Sequence, residues 1–550
     1  MIKPCPIHVR SSGARYGMIL GFFLMLALMQ LQAMASVASG DSSYRKVVQR
    51  IQQMIEDGQL PSAQEVLLMA LKKFPSNSGL ENLLGVVSVE QGDVASARQE
   101  FTLAIQHDPS LTSAYLNLGR LLMPSARDDR KSRQQAVQLY ESVLQQDPQN
   151  EDAHFELAIL RMWAMQYQKS LDDIARLPEE ARQDIRVQVL ICADQAGLGN
   201  RRKEQREVAW LESSPDLTEQ DVMLALPALR SMHQPDVIDE LLTAVSGHHT
   251  LSVQGLRLLG LAEEAEGRLQ SAQTTLERVY ERKPSCVTPL VDLTRVALEE
   301  KQYQSALGYL AHARALQPDN AGFAYEFGLI CIKLGLLNET IKAMHDAVQL
   351  VPNNAEYNLG MGIIASYGAN PSEAIPYLQK YRVLRPEDPE GMLALGEGLF
   401  RLGSLEDASA WLSMAAKYGA TEARARYYLG RILDEEGKYS LALEQLRQSV
   451  QAKDTRADVY AELGKAYMQL NKYGAAGAAL HHALGLDANS DSANLALLRL
   501  YAFTHDPRQE EQRKRFLAVQ KQKQNLYLDA LRTLRVQPYE DQPSVYSGSE

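Results

Sequence analysis

Two glycine motifs are the patterns in this chain that most resemble a cofactor site. Gly360-x-Gly362-x-x-Ala365 imitates the glycine-rich turn that binds a dinucleotide, and Gly396-x-Gly398 is a shorter version of it. Such a turn connects a β-strand to a helix, but both motifs lie in segments whose apolar residues recur at helical spacing. We therefore interpret these glycines as helix-packing residues and predict no cofactor.

Two histidine pairs are the other candidates for chemistry. His248-His249 and His481-His482 are adjacent in sequence, whereas metal ligands on one helix prefer spacings of three or four residues, which place them on one face. The chain has no HExxH motif, no phosphate-binding loop ending in Gly-Lys-Ser/Thr and no GxSxG motif. We predict no metal site and no enzyme. The alternative is an enzyme with a site in residues 151–252. The sequence of that stretch shows no combination of a nucleophile, a base and an orienting residue.

Residues 1–35 have the organisation of a secretory signal peptide. Basic residues precede an apolar run of twelve, Met18–Met29, and Ala33-x-Ala35 follows as a cleavage pattern. A membrane span needs about 20 apolar residues, so we predict cleavage after Ala35 and a periplasmic or secreted protein. The alternative is an uncleaved signal anchor that leaves the body in the periplasm. Cys5 precedes the apolar run, which argues against a lipid anchor.

The other cysteines predict no disulfide. Cys192, Cys286 and Cys331 are an odd number at wide spacing. We expect them to serve as small buried hydrophobic residues.

The net charge excludes one class of partner. It is −11, and it becomes −14 when residues 1–35, with three basic and no acidic side chains, are removed. Recognition of nucleic acid needs clustered cations, so we predict no nucleic-acid partner. Basic residues are in excess within 506–535. We interpret them as a solvated face, and docking to an acidic patch or to anionic lipid headgroups is the alternative.

A period of 34 residues organises most of the chain. Glycines recur at this spacing, an alanine follows most of them twelve residues later, and Pro284, Pro318, Pro352 and Pro386 form a third column. The glycine and alanine columns contain Gly85, Gly119, Gly260, Gly328, Gly362, Gly396, Gly430 and Gly464, and Ala97, Ala136, Ala272, Ala306, Ala374, Ala408, Ala442 and Ala476. Apolar residues recur every three or four positions around these columns, which predicts a helix–turn–helix unit.

The glycine column lies in the middle of a predicted helix, where glycine costs about 1 kcal/mol relative to alanine. Its recurrence suggests that the backbone of the neighbouring helix passes too close for a side chain. A second set of glycines, seven residues later, suits the left-handed residue that ends a helix. These are Gly267, Gly335, Gly403 and Gly437.

These columns resemble the tetratricopeptide repeat, and Ala321–Asn354 is the clearest copy, with Phe327-Gly328, Gly335, Ala347 and Pro352. The resemblance implies an all-α fold, a right-handed superhelical solenoid of stacked helix–turn–helix repeats. It also implies that the first helix of each repeat, here called the A helix, lines a concave groove that binds protein or peptide ligands. The second helix is the B helix.

The repeats divide the chain into segments. We predict repeats over 44–150, degenerate helix pairs over 151–252, seven contiguous repeats over 253–490, capping helices over 491–535 and a disordered tail over 536–550. A hinge between two repeat blocks is the alternative for 151–252. Five extra residues in the third repeat of the first block, 112–150, fall in Met123–Arg133, where we expect a lengthened surface loop.

The family's groove positions supply the candidate binding residues. They are mostly apolar and aromatic, with arginines at the C-terminal end: Tyr325, Leu329, Ile332, Leu359, Ile363, Tyr367, Phe400, Arg401, Tyr427 and Arg431. Packing of these residues against the next A helix is the alternative. The lysine and asparagine of the family's carboxylate clamp are absent from the corresponding positions. We predict a non-catalytic protein–protein scaffold or adaptor of the bacterial cell envelope, similar to tetratricopeptide proteins that assist assembly or export. Membrane contact is expected only if the N-terminal segment is not cleaved.

Overall fold

The computed structural model describes residues 42–368 and 370–521, and these residues form helices and turns without a β-strand. The predicted signal segment 1–35, the tail 536–550 and the part of the predicted cap beyond residue 521 lie outside the described residues. The all-α repeat fold expected from the sequence is confirmed.

The chain divides between Lys283 and Pro284 into two compact units. The helices of the first unit are α1 Ser42–Glu56, α2 Leu60–Lys73, α3 Ser78–Glu90, α4 Val94–His107, α5 Thr112–Ala126, α6 Arg130–Gln146, α7 Glu151–Trp163, α8 Tyr167–Ile174, α9 Glu179–Arg182, α10 Ile185–Gly197, α11 Arg201–Glu212, α12 Glu219–Ser231, α13 Pro235–His248, α14 Val253–Ala265 and α15 Leu269–Arg282.

The second unit continues the same pattern. Its helices are α16 Val287–Glu299, α17 Tyr303–Leu316, α18 Ala321–Lys333, α19 Leu337–Leu350, α20 Ala355–Ala365, α21 Ala374–Leu384, α22 Pro389–Leu402, α23 Leu405–Ala415, α24 Gly419–Glu435, α25 Tyr439–Gln451, α26 Ala457–Gln469, α27 Tyr473–Leu486 and α28 Asp491–Thr504, and residues 509–521 are also helical. No helix in 42–368 or 370–521 combines the length and the apolar content needed to cross a membrane.

Polar side chains begin many of the A helices. At intervals that are multiples of 34, Ser252, Asn320, Asn354, Asp388 and Ser490 accept hydrogen bonds from backbone N–H groups of the first turn. The first turn has no intrahelical acceptors for these groups, so each cap fixes where a helix starts. The repeat is therefore marked at its first residue as well as at its glycine.

Each column glycine lies beneath one large side chain of the following B helix. A Cβ added to Gly464 would lie 2.6 Å from Leu480 Cγ, and one added to Gly396 would lie 2.7 Å from Leu412 Cγ. The covering residues are Phe101, Tyr140, Leu276, Met344, Leu378, Leu412, Leu446 and Leu480. The expectation of a close neighbouring backbone holds in part: the nearest atoms belong to these side chains, but a backbone nitrogen of the B helix also lies 3.2 Å from the added Cβ at Gly362 and at Gly396. The column alanines are completely buried beside them.

The residue that ends each A helix forms a second 34-residue column. Its backbone is left-handed at Met165, Gly199, His233, Gly267, Lys301, Gly335, Gly403, Gly437, Asn471 and His505. The residue after it donates a backbone hydrogen bond five residues back, which closes the end of the helix. Gln302 N, for example, donates to Ala297 O over 2.8 Å. The column includes positions in 151–252, where the sequence signature is missing, so the backbone keeps its phase there.

The five extra residues of the third repeat do not lengthen a loop, which corrects that expectation. The turns α3–α4 and α5–α6 both contain three residues. Instead α5 has 15 residues against 13 in α3, and α6 has 17 against 14 in α4. Arg133 secures the extension, since its guanidinium donates to the carbonyls of Ala126 (2.8 Å) and Arg127 (2.6 Å). The insertion thus extends the hairpin by two residues in α5 and three in α6, less than one helical turn.

Candidate functional site

Nine of the ten predicted groove residues lie on four A helices of the second unit, α18, α20, α22 and α24, and Tyr367 lies in the turn that follows α20; together they are here called the A-helix surface. Leu329, Ile332 and Tyr367 are well exposed, at 42%, 42% and 48%. Tyr325, Leu359, Ile363, Arg401 and Arg431 are half-buried. Phe400 and Tyr427 are only 7% and 6% exposed. Their burial makes them packing residues of the unit, which is the alternative that the sequence left open for the groove positions.

Tyr325 is held by packing between neighbouring A helices. Its ring lies 4.8 Å from the ring of Tyr357 on α20, and it fills the space above Gly360, where a Cβ would come within 2.8 Å of the ring. Burial, followed by the charge of Glu356, raises the pKa of Tyr325. Gly360 and Gly362 therefore accommodate Tyr325 and Leu378, which is the packing role expected for this motif.

Tyr367 and Arg401 form the most exposed contact of the surface. The Arg401 guanidinium carbon lies 3.5 Å from the centroid of the Tyr367 ring, and its Nη2 donates to the hydroxyl of Tyr428 (3.3 Å). Its buried Nε has no partner within 42–368 and 370–521. A guanidinium stacked on a ring keeps its planar edge available for acceptors of a ligand.

Arg431 is positioned by aromatic rings in the same way. Its guanidinium lies 4.7 Å from the Phe400 ring and 5.9 Å from the Tyr427 ring. Phe400 packs edge-on against Tyr428 at 5.6 Å, and Tyr428 packs against Tyr427 at 4.9 Å. The structure thus brings together Tyr367, Phe400, Arg401, Tyr427 and Arg431 around one ring cluster.

A buried carboxylate anchors this cluster. Glu397 is paired with Arg424 (3.2 Å), which also pairs with Glu390 (2.7 Å). Burial, followed by the charge of Glu397, raises the pKa of Tyr428 far above its ordinary value. Sequence reasoning chose Tyr427 for the groove and omitted Tyr428, although their adjacency was visible. Adjacent helical residues point in different directions, so only the packing shows that Tyr428 contacts Arg401 and the two rings that position Arg431.

The remaining candidates for chemistry have structural partners. His249 Nε2 donates to the carbonyl of Pro215 (2.8 Å), His481 hydrogen-bonds with the Tyr501 hydroxyl (3.1 Å), and the His482 ring lies 4.3 Å from the Tyr460 ring. No group of ligands suited to a metal ion occurs within the described ranges 42–368 and 370–521.

The three described cysteines are free thiols. Cys192 and Cys331 are buried, and burial raises the pKa of Cys331 to about 12. Cys286 is only half-buried, at the start of α16, so the expectation of burial holds for two of the three.

Comparison with known proteins agrees with the repeat geometry. Models of the tetratricopeptide repeat family match residues 55–111, 129–191, 359–422 and 457–490. Among curated proteins, the chain is similar to the RNA polymerase-associated protein CTR9 of Caenorhabditis elegans. The two are 23% identical over 230 residues, which cover 40% of this chain and 20% of that protein.

One further curated protein and one solved structure are also similar to parts of this chain. Human tetratricopeptide repeat protein 7B is 28% identical over 144 residues, which cover 26% of this chain and 16% of that protein. A solved tetratricopeptide repeat protein from Parabacteroides merdae is 14% identical with a TM-score of 0.42, covering 45% of this chain and 98% of that one.

The family matches fall on helix pairs that carry the columns of the 34-residue repeat, except that 129–191 contains none of the column glycines. The matched segments of this chain are tetratricopeptide repeats.

Proposed function

We propose that this protein is a non-catalytic scaffold that binds a peptide or helical segment of a partner protein on the A-helix surface. The observation that carries the proposal is the combination of exposed Leu329, Ile332 and Tyr367 with the ring-stacked Arg401. Aromatic and arginine side chains dominate the binding energy of protein interfaces. Tetratricopeptide repeat proteins generally bind protein partners, which supports the same conclusion.

A site-specific photocrosslinker tests this surface directly. With p-benzoylphenylalanine in place of Tyr367 in the full chain, we expect discrete protein adducts in producing cells. The double substitution Leu329→Asp and Ile332→Asp should reduce these adducts at least about tenfold, because each removes an apolar contact and introduces a charge. Leu486→Asp on α27, an exposed apolar position outside the surface, is the matched control. Adducts unchanged in the double variant would place the partner elsewhere.

We further propose that the protein acts in a bacterial cell envelope and that its 1–35 segment directs export. The supporting feature is the basic and apolar sequence ending in Ala33-x-Ala35. Mass spectrometry of the N-terminus after fractionation of the producing cell tests this. A chain that starts at Ser36 supports cleavage, whereas an intact N-terminus in the membrane fraction supports an anchored adaptor. An intact chain in the cytosol contradicts both.

A further inference from the structure

A cavity of about 450 Å³ opens between the B helices α21 and α23, over the A helix α22. Aliphatic side chains and one indole form most of its wall, and three polar side chains complete it: Ile375, Val383, Leu395, Leu399 and Trp411, with Gln379, Arg382 and Asp407. Its volume falls within the range of ligand pockets, about 300–1,000 Å³. It contains no residue of the ten-membered A-helix surface.

The wall of the cavity is continuous with the core of the unit. Ile375, Leu399 and Trp411 are half-buried residues packed against the cluster that contains Leu378 and Leu395. Val383 stands at the edge and is 76% exposed. When a ligand covers an aliphatic side chain this exposed beside an open apolar wall, the burial of apolar surface favours binding.

Arg382 is fixed in place by packing and has no anionic partner among the described residues. Its guanidinium lies 4.3 Å from the ring of Trp411, and its stem packs where a side chain of Gly391 would lie, since a Cβ there would be 3.2 Å from Arg382 Cγ. Its buried Nε has no acceptor among the described residues. A guanidinium stacked on a ring keeps its planar edge available for an acceptor of a ligand.

The polar part of the wall identifies the ligand. Arg382 and Gln379 offer donors, whereas Asp407 offers an acceptor and the opposite charge. A wall with one cation and one anion suits a neutral ligand that carries both an acceptor and a donor beside an apolar group. A peptide backbone with an aliphatic side chain has this composition.

We propose that this cavity binds an extended peptide segment of a partner protein, with a leucine-like side chain against Trp411 and Val383. The peptide carbonyl accepts from the Arg382 guanidinium, and a peptide N–H donates to Asp407. This contact is separate from the A-helix surface, so the scaffold engages partners on B helices as well.

Fluorine NMR of the full chain labelled with 5-fluorotryptophan tests the proposal. The chain has three tryptophans, and Trp163→Phe and Trp210→Phe variants assign the Trp411 signal. The probe is acetyl-Ala-Leu-Ala-amide, with acetyl-Ala-Asp-Ala-amide and isovalerate as comparison ligands. We expect the leucine peptide to shift the Trp411 signal in a saturable manner and to leave the other two signals unchanged.

Substitutions then distinguish binding at this cavity from non-specific binding of the peptide to the protein. Val383→Asp, at a position too exposed to affect folding, should weaken the apparent affinity at least about tenfold. Arg382→Gln should also weaken it, and Leu441→Asp, an exposed apolar position on α25 outside the cavity, should leave it unchanged. No shift of the Trp411 signal, or an equal shift in Val383→Asp, overturns the proposal.

Two further outcomes would assign the cavity to another occupant. Isovalerate binding as tightly as the leucine peptide would mean that the cavity takes a small carboxylate. A concentration-dependent dimer in sedimentation velocity that Val383→Asp abolishes would mean that a second copy of this chain fills it. Either result overturns the partner-peptide proposal without affecting the A-helix surface.

Discussion

Each glycine of the repeat column works together with one large side chain of the next helix. The absence of a Cβ at Gly464 lets Leu480 lie flat on α26, and the same pairing recurs through both units. A glycine column can be read from the sequence as a sign of close approach. The residue that makes the approach cannot, because its identity depends on the angle between the helices.

Two glycine-to-alanine substitutions in one hairpin distinguish the effect of a steric clash on stability from the effect of helix propensity. Gly464→Ala places a Cβ 2.6 Å from Leu480 side-chain atoms, so we expect it to lower the free energy of unfolding by about 1–3 kcal/mol. Gly477→Ala meets its nearest atom at 3.7 Å and should stabilise by up to about 1 kcal/mol. Chemical denaturation measures both. A neutral Gly464→Ala would show that Leu480 moves aside freely.

A buried carboxyl group in the first unit predicts a pH dependence. Asp194 on α10 is fully buried, and neither of its carboxyl oxygens has a hydrogen-bond partner in the described structure. Burial raises its pKa from 3.8 to about 8. The folded state therefore favours the protonated acid, and stability falls as the pH rises from about 4 to 8, by at most about 1.4 kcal/mol per pH unit.

Asp194→Asn should remove this loss. We expect the variant to be more stable than the wild type at pH 9 and to lose that advantage as the pH approaches 4, measured by thermal unfolding across the range. Asp184→Asn is the control of opposite sign, because Arg186 lowers the pKa of Asp184. That variant should be destabilised at neutral pH. An Asp194→Asn effect independent of pH would contradict the assignment.

The left-handed backbone at the ends of the A helices keeps the 34-residue spacing in places where the glycines and alanines of the helix interiors do not. The left-handed column includes Met165 and His233, in a stretch where the glycine and alanine signature is lost. Only the glycines of this column were recognisable from the sequence. Non-glycine residues adopt the same backbone because the helices on either side fix it, and that constraint is tertiary.

The left-handed column predicts a stabilising substitution. Lys301 has a φ of 59° after α16, a conformation that costs an ordinary residue about 1–2 kcal/mol. Lys301→Gly should raise the unfolding free energy by about 1 kcal/mol, whereas Lys301→Ala should not. The same measurement on Gly335→Ala should show a loss of similar size, and a gain there would refute the argument.

At the scale of the whole molecule, composition and repeat period together restrict the partners. The charge of −11 over 550 residues argues against nucleic acid, and the repeats provide extended helical surfaces instead. The position of the candidate surface was predictable from the family's A helices. The burial of Phe400 and Tyr427 was not, since aromatic residues at these positions serve packing and recognition equally well.

The net negative charge predicts the result of a DNA-binding measurement. We expect the full chain to leave the electrophoretic mobility of duplex DNA unchanged at physiological ionic strength, because a net negative body does not release counterions from the phosphates. Lowering the salt should not produce binding. A shift that weakens with added salt would identify an overlooked cationic face, and the basic residues within 506–535 would be the first to neutralise.

The extension of α5 and α6 has a practical consequence for engineering. Both helices grow at the end next to their turn, so the added length lies beyond Gly119 and Ala136 and leaves the covering contact of Tyr140 on Gly119 in place. Compared with the hairpin α3–α4, α5 ends two residues farther beyond its column glycine and α6 begins three residues farther before its column alanine. The three-residue turn at 127–129 is therefore a natural insertion point for an affinity tag or a fluorophore.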